Sequence, residues 1–351
     1  MPRIEHFAAL LLAAATLALG GCASPGYYLQ ALNGQMEVLR LARPLSVVQS
    51  DATVSPTVKV RLAAAVRIRD FASRELALPD NGSFRTYADL GRPYAVWNVF
   101  AAGEFSVQLK AWCFPVAGCV NYRGYFAGAD ADAFAADLRG EGFEVHVGGV
   151  PAYSTLGWFG DPLLSTFIHS PESELVRVVV HELAHQVLYV QGDTEFNESF
   201  AVVVEQEGLR RWLARENDPA EGDRSQRAQR MRADFQGLVL RTRQRLEALY
   251  ASALAPDEKR REKARTLAGL RRDYDALKAG PWQGFAGYDR WFGQEINNAT
   301  LASIGLYHQL EPAFEALLDK SGRDLPRFYA EAKRLAALPK AARRAQLARE
   351  P

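Results

Sequence analysis

One short stretch of the sequence carries the residue types of a metal-dependent hydrolase. His181, Glu182 and His185 form an HExxH pattern, and twelve residues lie between His185 and Glu198 in a following NExxA pattern. On a helix, positions i and i+4 share a face, so both imidazoles can bind one zinc ion. Glu182 stands beside the first ligand, where its carboxylate can hold and deprotonate a water molecule. We therefore expect one zinc ion per chain.

Two helices joined by a turn must position these side chains. Apolar spacing predicts a helix over residues 173–190 and a second over residues 197–213, and residues 191–194 can turn the chain between them. Glu198 then returns to the metal as the third protein ligand, which leaves one position open, as catalytic zinc requires. In the alternative interpretation the two histidines cap or line a core and Glu182 is solvated. That interpretation leaves the position of Glu198 unexplained.

The two motifs resemble those of the gluzincin clan, the thermolysin-like and aminopeptidase-like zinc peptidases. More of the chain resembles a narrower group, bacterial lipoproteins described as predicted aminopeptidases. The blocks that carry this second resemblance are residues 26–31, 78–81, 92–98, 112–119, 122–126, 147–150, 152–159 and 297–299. It implies zinc-dependent aminopeptidase activity and an α+β, zincin-like fold with a mixed sheet, an active-site helix and a glutamate helix.

The clan resemblance also implies a substrate cleft upstream of the zinc helix. Gluzincins bind peptide along an edge strand there, and the free backbone groups of a strand edge suit an extended peptide. Gly148, Gly149, Tyr153 and Ser154 are expected to line this cleft; a glycine-rich turn with a core tyrosine is the alternative. Aminopeptidases of the clan have a glutamate here that binds the α-amine, and residues 148–157 contain no acidic residue. The residues themselves therefore do not support a preference for N-termini.

Peptide hydrolysis also needs a donor to the developing oxyanion. Because aromatic hydroxyls serve in the aminopeptidase branch, Tyr307 is the first expectation, on a helix predicted over residues 298–310. His308, the pair Asn297 and Asn298, and Tyr153 are the alternatives.

The N-terminus resembles a bacterial lipoprotein signal. Residues 8–19 form a short apolar run, and Leu-Gly-Gly-Cys at residues 19–22 looks like a lipobox that makes Cys22 the lipidated first residue. With alanine after the cysteine, we expect a lipid anchor in the outer membrane, facing the periplasm. An ordinary signal peptide with a coincidental cysteine is the alternative.

Two further cysteines, Cys113 and Cys119, remain after Cys22. In an oxidising compartment a disulfide between them is expected, and it would close a small loop. A metal-binding pair is the alternative, but no histidine or further cysteine stands nearby in sequence.

Five segments are expected along the chain. Residues 1–21 are the signal peptide, 22–80 an N-terminal helical segment, 81–215 the catalytic core, 216–280 a charged helical hairpin, and 281–351 a C-terminal helical segment that completes the core. In the second segment Leu29, Leu32, Met36 and Leu39 recur at helical spacing. The arginine-rich face of the hairpin is expected to be solvated, or to bind an envelope protein.

The overall composition limits the kinds of molecule that this protein could bind. The chain is 48% apolar and 24% charged, with a formal net charge of +1, which is ordinary for a globular protein and argues against a nucleic-acid surface. The sequence therefore favours a zinc peptidase that hydrolyses peptides in the periplasm. Two alternatives stay open: a zinc amide hydrolase acting on cell-wall peptides, and a non-enzymatic, peptide-binding envelope lipoprotein.

Overall fold

The computed structural model describes residues 25–114, 118–305 and 310–349 and has an α+β fold. The helices are α1 (Pro25–Leu41), α2 (Leu45–Ser50), α3 (Pro56–Leu76), α4 (Gly128–Gly140), α5 (Glu172–Val187), α6 (Thr194–Glu216), α7 (Pro219–Ala251), α8 (Pro256–Ala279), α9 (Asp289–Phe292), α10 (Asn298–Gly305), α11 (Glu311–Lys320), α12 (Leu325–Ala336) and α13 (Lys340–Leu347). The strands are β1 (Arg43–Pro44), β2 (Thr86–Ala88), β3 (Val96–Ala102), β4 (Trp112–Phe114), β5 (Gly118–Val120), β6 (Arg123–Tyr125), β7 (Glu144–Val150) and β8 (Leu163–Leu164). Within these ranges, no helix is both long and apolar enough to cross a membrane.

A small antiparallel sheet has α4 packed on one face and α10 on the other. Its order is β6-β3-β7, with Val96 opposite Val150 and Ala102 opposite Glu144. A strand over residues 94–100 is the sequence expectation, but β3 begins two residues later. The reason is that Tyr94 packs edge-on against Trp97, while the Arg92 guanidinium binds the Tyr94 carbonyl oxygen. A second three-stranded sheet has the order β1-β2-β8, with β8 parallel to β2.

The largest core surrounds α5 and α6, the two helices that carry the HExxH and NExxA motifs. Leu183 of α5 and Phe200 of α6 are fully buried in it. At Gly208 a Cβ would lie 2.9 Å from Leu76 Cδ1 and 3.0 Å from Val180 Cγ1, so α3, α5 and α6 pack too closely there for a side chain. Burial of each such large apolar side chain contributes about 1.5–3 kcal/mol. The helices that carry the motifs are thus fixed by a rigid, close-packed core.

A second core lies inside the hairpin of α7 and α8. Phe235 stacks on Tyr288 with ring centroids 4.1 Å apart, and Tyr274 stacks on Phe292 at 3.9 Å. The segment after the hairpin is divided between the two cores. Its first part packs on the hairpin through Trp282, whereas α11 and α12 join the core of α5 and α6.

A buried carboxylate joins α6 to the C-terminal helices. Glu207 is fully buried and accepts hydrogen bonds from Arg210, Arg211 and Arg323 at 2.7–3.1 Å. Burial raises the pKa of Glu207, but the three guanidinium groups outweigh it and lower the pKa to about 2. This depressed pKa stabilises the fold fully above the ordinary value near 4.5, and the stabilisation is lost as the pH falls through about 2.

Glu207→Gln should lower the free energy of unfolding by about 2–4 kcal/mol at pH 7, since three guanidinium groups lose their carboxylate. The difference from the wild type should narrow as the pH falls below 4.5, and urea unfolding at several pH values measures it. Glu262→Gln is the control, because Glu262 pairs with Arg265 at the surface, and it should change stability by less than about 0.5 kcal/mol. An equal loss in both variants would refute the assigned role of Glu207.

Candidate metal centre

Three side chains converge between α5 and α6. His181 Nε2 lies 3.2 Å from His185 Nε2 and 3.2 Å from Glu198 Oε2, and His185 Nε2 lies 3.7 Å from the same oxygen. Zinc ligands at about 2.0–2.1 Å in tetrahedral geometry stand roughly 3.3 Å from one another. The separations of the three donor atoms therefore fit a single zinc ion, and so does the donor set of two imidazoles and a carboxylate.

The turn between the two helices determines where Glu198 lies. α5 ends at Val187, three residues earlier than the apolar spacing predicts, because Leu188 is extended. The Asn197 side chain then binds the Val190 backbone twice: Val190 N donates to Asn197 Oδ1 at 2.7 Å, and Asn197 Nδ2 donates to Val190 O at 2.9 Å. Asn197 is 1% exposed. The asparagine of the NExxA pattern thus holds the start of α6 against the end of α5 and brings Glu198 to the histidines.

Glu205 orients the first histidine from the opposite side. Its Oε2 lies 3.1 Å from His181 Nδ1, and its Oε1 accepts a hydrogen bond from Arg177 at 2.6 Å. Arg232 of α7 reaches the same Oε1 at 3.8 Å. Since an ionised carboxylate only accepts, His181 donates from Nδ1 to Glu205. Its Nε2 atom therefore faces Glu198 and His185 and can bind a metal ion once it has lost its proton. The sequence suggests Glu205 only weakly for this role, and Arg177 and Arg232 are not predicted from it.

Glu205→Ala should weaken zinc affinity by about 10–100-fold, because the orientation and basicity of His181 are lost. Glu205→Gln retains an acceptor oxygen and should recover part of this. Competition with a zinc chelator measures both variants, and Glu216→Gln at the exposed end of α6 is the control. Wild-type affinity in Glu205→Ala would remove Glu205 from the metal centre.

The two histidines differ in their proton affinity. Burial lowers the pKa of His185 to about 4, so its imidazole is neutral near pH 7, as a metal ligand must be. Burial also acts to lower the pKa of His181, but hydrogen bonds to Glu198 and Glu205 outweigh it and raise the pKa well above 6.5. A metal ion at His181 Nε2 therefore displaces a proton. Among the described residues, the buried Nδ1 of His185 has no hydrogen-bond partner.

A cavity of about 690 Å³ opens at the three ligands and at Glu182. Burial raises the pKa of Glu182 to about 7. The other walls are mostly apolar and aromatic; the described residues that line them are Tyr27, Tyr28, Ala31, Gln35, Val96, Asn98, Phe114, Val120, Tyr122, Gly124, Phe126, Val150, Ala152, Tyr153, Ser154, Leu156 and Tyr189. The cavity is large enough for several peptide atoms and places them beside Glu182.

Two tyrosines that are not predicted from the sequence, Tyr122 and Tyr189, line the cavity together with Glu182 and Glu198. Burial raises the pKa of Tyr122, and the charges of Glu198 and Glu182 add to the effect. Burial and Glu198 likewise raise the pKa of Tyr189. Both hydroxyls therefore keep their protons near neutral pH and can donate. Tyr122 lies within the resembling block 122–126, but nothing in its spacing places it at the metal.

Other residues expected at the site lie in different surroundings. Tyr153 and Ser154 line the cavity, but the Tyr153 hydroxyl already donates to Gln35 Oε1 at 2.6 Å, so it is not the free donor considered above. Gly148 and Gly149 are not among the described lining residues. A Cβ at Gly149 would lie 2.2 Å from Tyr94 Cδ2, because the Tyr94 ring covers that position.

The remaining expectations concern Asn297, Asn298, Tyr307, His308 and Cys22. Asn297 donates to the Val145 carbonyl and Asn298 to the Gly103 carbonyl, so both hold α10 against the sheet and do not line the cavity. Tyr307, His308 and Cys22 lie outside the described residues.

The disulfide between Cys113 and Cys119 is present, as the sequence predicts. It joins opposite positions of the β4–β5 hairpin, whose Phe114 and Val120 line the cavity. At Gly118 a Cβ would lie 2.6 Å from Gln191 Cγ, so this hairpin rests on the turn between α5 and α6. The disulfide therefore shapes one wall of the cavity.

Comparison with known proteins gives one match that covers almost the whole chain. The protein family described as "Putative aminopeptidase" matches residues 26–347. The chain belongs to this family. No curated protein and no solved structure matches it.

The family description names an aminopeptidase. An enzyme of this kind binds the free α-amine of its substrate, and a carboxylate near the cavity could bind that amine. Among the described residues that line the cavity, the acidic ones are Glu182 and Glu198. Asp161 is buried nearby, but it accepts hydrogen bonds from the Thr155 backbone at 3.0 Å and the Thr155 hydroxyl at 2.7 Å. Its carboxylate is thus engaged in holding the loop that carries Ser154.

Proposed function

We propose that this protein is a zinc-dependent peptidase with Glu182 as general base. The observation that carries the proposal is the convergence of His181, His185 and Glu198 at zinc-ligand separations, at the floor of a cavity that Glu182 also lines. Membership of the family supports peptide hydrolysis, with N-terminal residues as the substrate position that the family's description suggests. A zincin-like arrangement of α5, α6 and the β6-β3-β7 sheet is part of this proposal.

A zinc ion at the three ligands would supply a Lewis acid that polarises a peptide carbonyl and acidifies water near neutral pH. Glu182 takes a proton from the attacking water and hands it to the leaving amine. Glu205, Arg177 and Arg232 hold His181 in its ligand orientation throughout.

We propose Tyr122 as the oxyanion donor, because it lines the same cavity as Glu182 and Glu198. Tyr189 also lines this cavity. Tyr122→Phe should lower kcat by about 10²–10³-fold, the cost of one oxyanion donor, with zinc affinity unchanged. Steady-state kinetics measure this, and Tyr189→Phe is the matched control. A larger loss in Tyr189→Phe would transfer the role to Tyr189.

The location of the protein is also a proposal. Cys22 would carry the lipid anchor after removal of residues 1–21, in the outer membrane and facing the periplasm, as the lipobox-like sequence indicates. Mass spectrometry of the chain purified from its host tests this. An unmodified N-terminus at Met1 would contradict it.

Cleavage of a mixed peptide library, read by mass spectrometry, tests the proposed activity. Stepwise loss of N-terminal residues by the zinc-loaded chain would establish an aminopeptidase, and internal cuts would establish an endopeptidase. Uncut peptides under conditions in which zinc is bound would contradict peptide hydrolysis. Release of fragments from cell-wall peptides would then favour the alternative amide hydrolase.

A further inference from the structure

The exposed apolar side chains of this protein concentrate on two segments that border the cavity. Of the ten large apolar side chains that are exposed in the described residues, six belong to these segments. Four lie on α1 and two in the loop after β7; they are Tyr28, Leu29, Leu32, Met36, Trp158 and Phe159, with 41–77% of each exposed. We call these six side chains the apolar rim. Tyr28 and Leu156, from the same two segments, line the cavity.

α1 is apolar on two opposite faces. Its inner face lines the cavity through Tyr27, Ala31 and Gln35, at helical spacing. Its outer face presents Leu29, Leu32 and Met36, also at helical spacing but turned away from the core. A helix on the surface of a soluble protein ordinarily has one apolar face, and a contiguous exposed apolar patch marks a binding surface. Packing within the described residues explains why the inner face of α1 is apolar, but it does not explain the apolar outer face.

The aromatic loop presents its side chains to solvent although it is well held. Thr155 is fixed by Asp161, and the Trp158 backbone donates to the Thr155 carbonyl. Trp158 nevertheless has 77% of its surface exposed, the highest value among the rim residues. The exposure thus belongs to an ordered loop at the border of the cavity.

We propose that the apolar rim binds the surface of a lipid bilayer, so that the cavity opens beside the membrane. The segment before α1 favours this partner over another protein. It contains Cys22, three residues before Pro25. An acylated cysteine at this position would hold the start of α1 within about 11 Å of the bilayer. This inference rests on the proposed lipid anchor and is independent of the proposed peptidase activity.

The chemistry of the rim fits the boundary between headgroups and acyl chains. Residues 25–36 contain no charged side chain, so an apolar surface can enter the boundary without burying a charge. Tyr28 and Trp158 have the amphipathic rings that favour this depth. Because the contact is apolar, it should not depend on anionic lipid or on salt.

Fluorescence quenching tests the orientation of the rim. The full chain, as its host processes it, is bound to phosphatidylcholine vesicles with brominated acyl chains, and the emission lost in Trp158→Phe defines the signal of Trp158. Bromolipid should quench at least about half of this signal, because an interfacial ring lies near the bromine atoms. Trp282→Phe is the control, since Trp282 is 3% exposed and its removal should leave the quenching unchanged. One molar salt should not alter the result.

A rim variant supplies the second measurement. The combined change Leu29→Gln, Leu32→Gln and Met36→Gln affects exposed positions, and a wild-type circular dichroism spectrum establishes that it folds. It should reduce the quenching of Trp158 at least threefold in vesicle-bound protein. Unquenched Trp158 on bound wild-type protein would overturn the proposal. A second outcome would also overturn it: the wild type is a dimer, the triple variant is a monomer, and Trp158 is unquenched in the wild type. The apolar rim would then bind a second copy of the chain and not the bilayer.

Failure of the anchor is distinguishable from failure of the rim. If mass spectrometry finds no acyl chain on Cys22, the proposed anchor is wrong, and quenching of Trp158 at millimolar lipid then tests the rim alone. Quenching under that condition would support the rim, and its absence would overturn it. Peptide cleavage, measured in parallel, reports on the proposed function separately.

Discussion

Glu182→Gln should abolish most turnover while the protein keeps its zinc. The change removes the carboxylate that accepts a proton from water but preserves the size of the side chain, so kcat should fall by about 10²–10⁴-fold. The ligand atoms of His181, His185 and Glu198 are untouched, so zinc content measured by atomic absorption should stay at one ion per chain. Single-turnover kinetics on a peptide that the wild type cleaves provide the rate.

Glu172→Gln is the matched control for this experiment. It makes the same chemical change on the same helix, at the start of α5, where Glu172 contacts Arg67 at 3.4 Å. Its rate should stay within about twofold of the wild type, since a surface pair contributes little. Equal rates in the wild type and Glu182→Gln would exclude Glu182 as the general base and would require another group to accept the proton.

Glu198→Ala should have the largest effect on the metal itself. It removes one of three protein ligands, so the loss of zinc affinity should exceed the roughly 10–100-fold expected when an outer partner such as Glu205 is removed. Activity at low zinc should disappear with the metal and recover only in part when zinc is added. A chelator titration gives the affinity.

Glu195→Ala, one turn earlier on α6, is the control for Glu198→Ala. Glu195 pairs with Arg344 at 2.6 Å and is not among the three side chains that converge as candidate ligands. Its zinc affinity should equal that of the wild type. An unchanged affinity in Glu198→Ala would remove Glu198 from the ligand set and would favour the interpretation of His181 and His185 as core histidines.

The convergence of His181, His185 and Glu198 was predictable because its geometry is local. The i, i+4 relation of His181 and His185 follows from one helix, and Glu198 needs only a turn and a second helix. The turn itself was less predictable: α5 ends three residues early, where Leu188 is extended, and the Asn197 side chain then binds the Val190 backbone. Helical spacing predicts which side chains share a face of α5, but it does not predict the residue at which α5 ends.

Contacts between segments that are distant along the chain could not be predicted from the sequence. Tyr122 reaches the cavity from the connection between β5, which pairs with β4, and β6, which pairs with β3. This connection is far from the HExxH motif in sequence, and no local pattern brings the two together. The surroundings of Gly149 were not predictable either, because the ring of Tyr94, from a distant part of the sequence, covers this glycine. In α1 the spacing predicts an apolar stripe of Leu29, Leu32 and Met36 but not its direction, and the structure exposes that stripe. Periodicity determines which side chains share a face, and tertiary packing determines which face is buried.

Anomalous X-ray scattering at the zinc absorption edge, from crystals of the zinc-loaded chain, tests the metal centre most directly. A zinc ion at this centre predicts one strong peak at about 2.0–2.2 Å from His181 Nε2, His185 Nε2 and a Glu198 oxygen. It also predicts that the peak is absent from crystals of Glu198→Ala grown at low zinc. A peak bound elsewhere, or no peak between α5 and α6 at saturating zinc, would contradict the assignment of this site and the hydrolytic chemistry proposed for it.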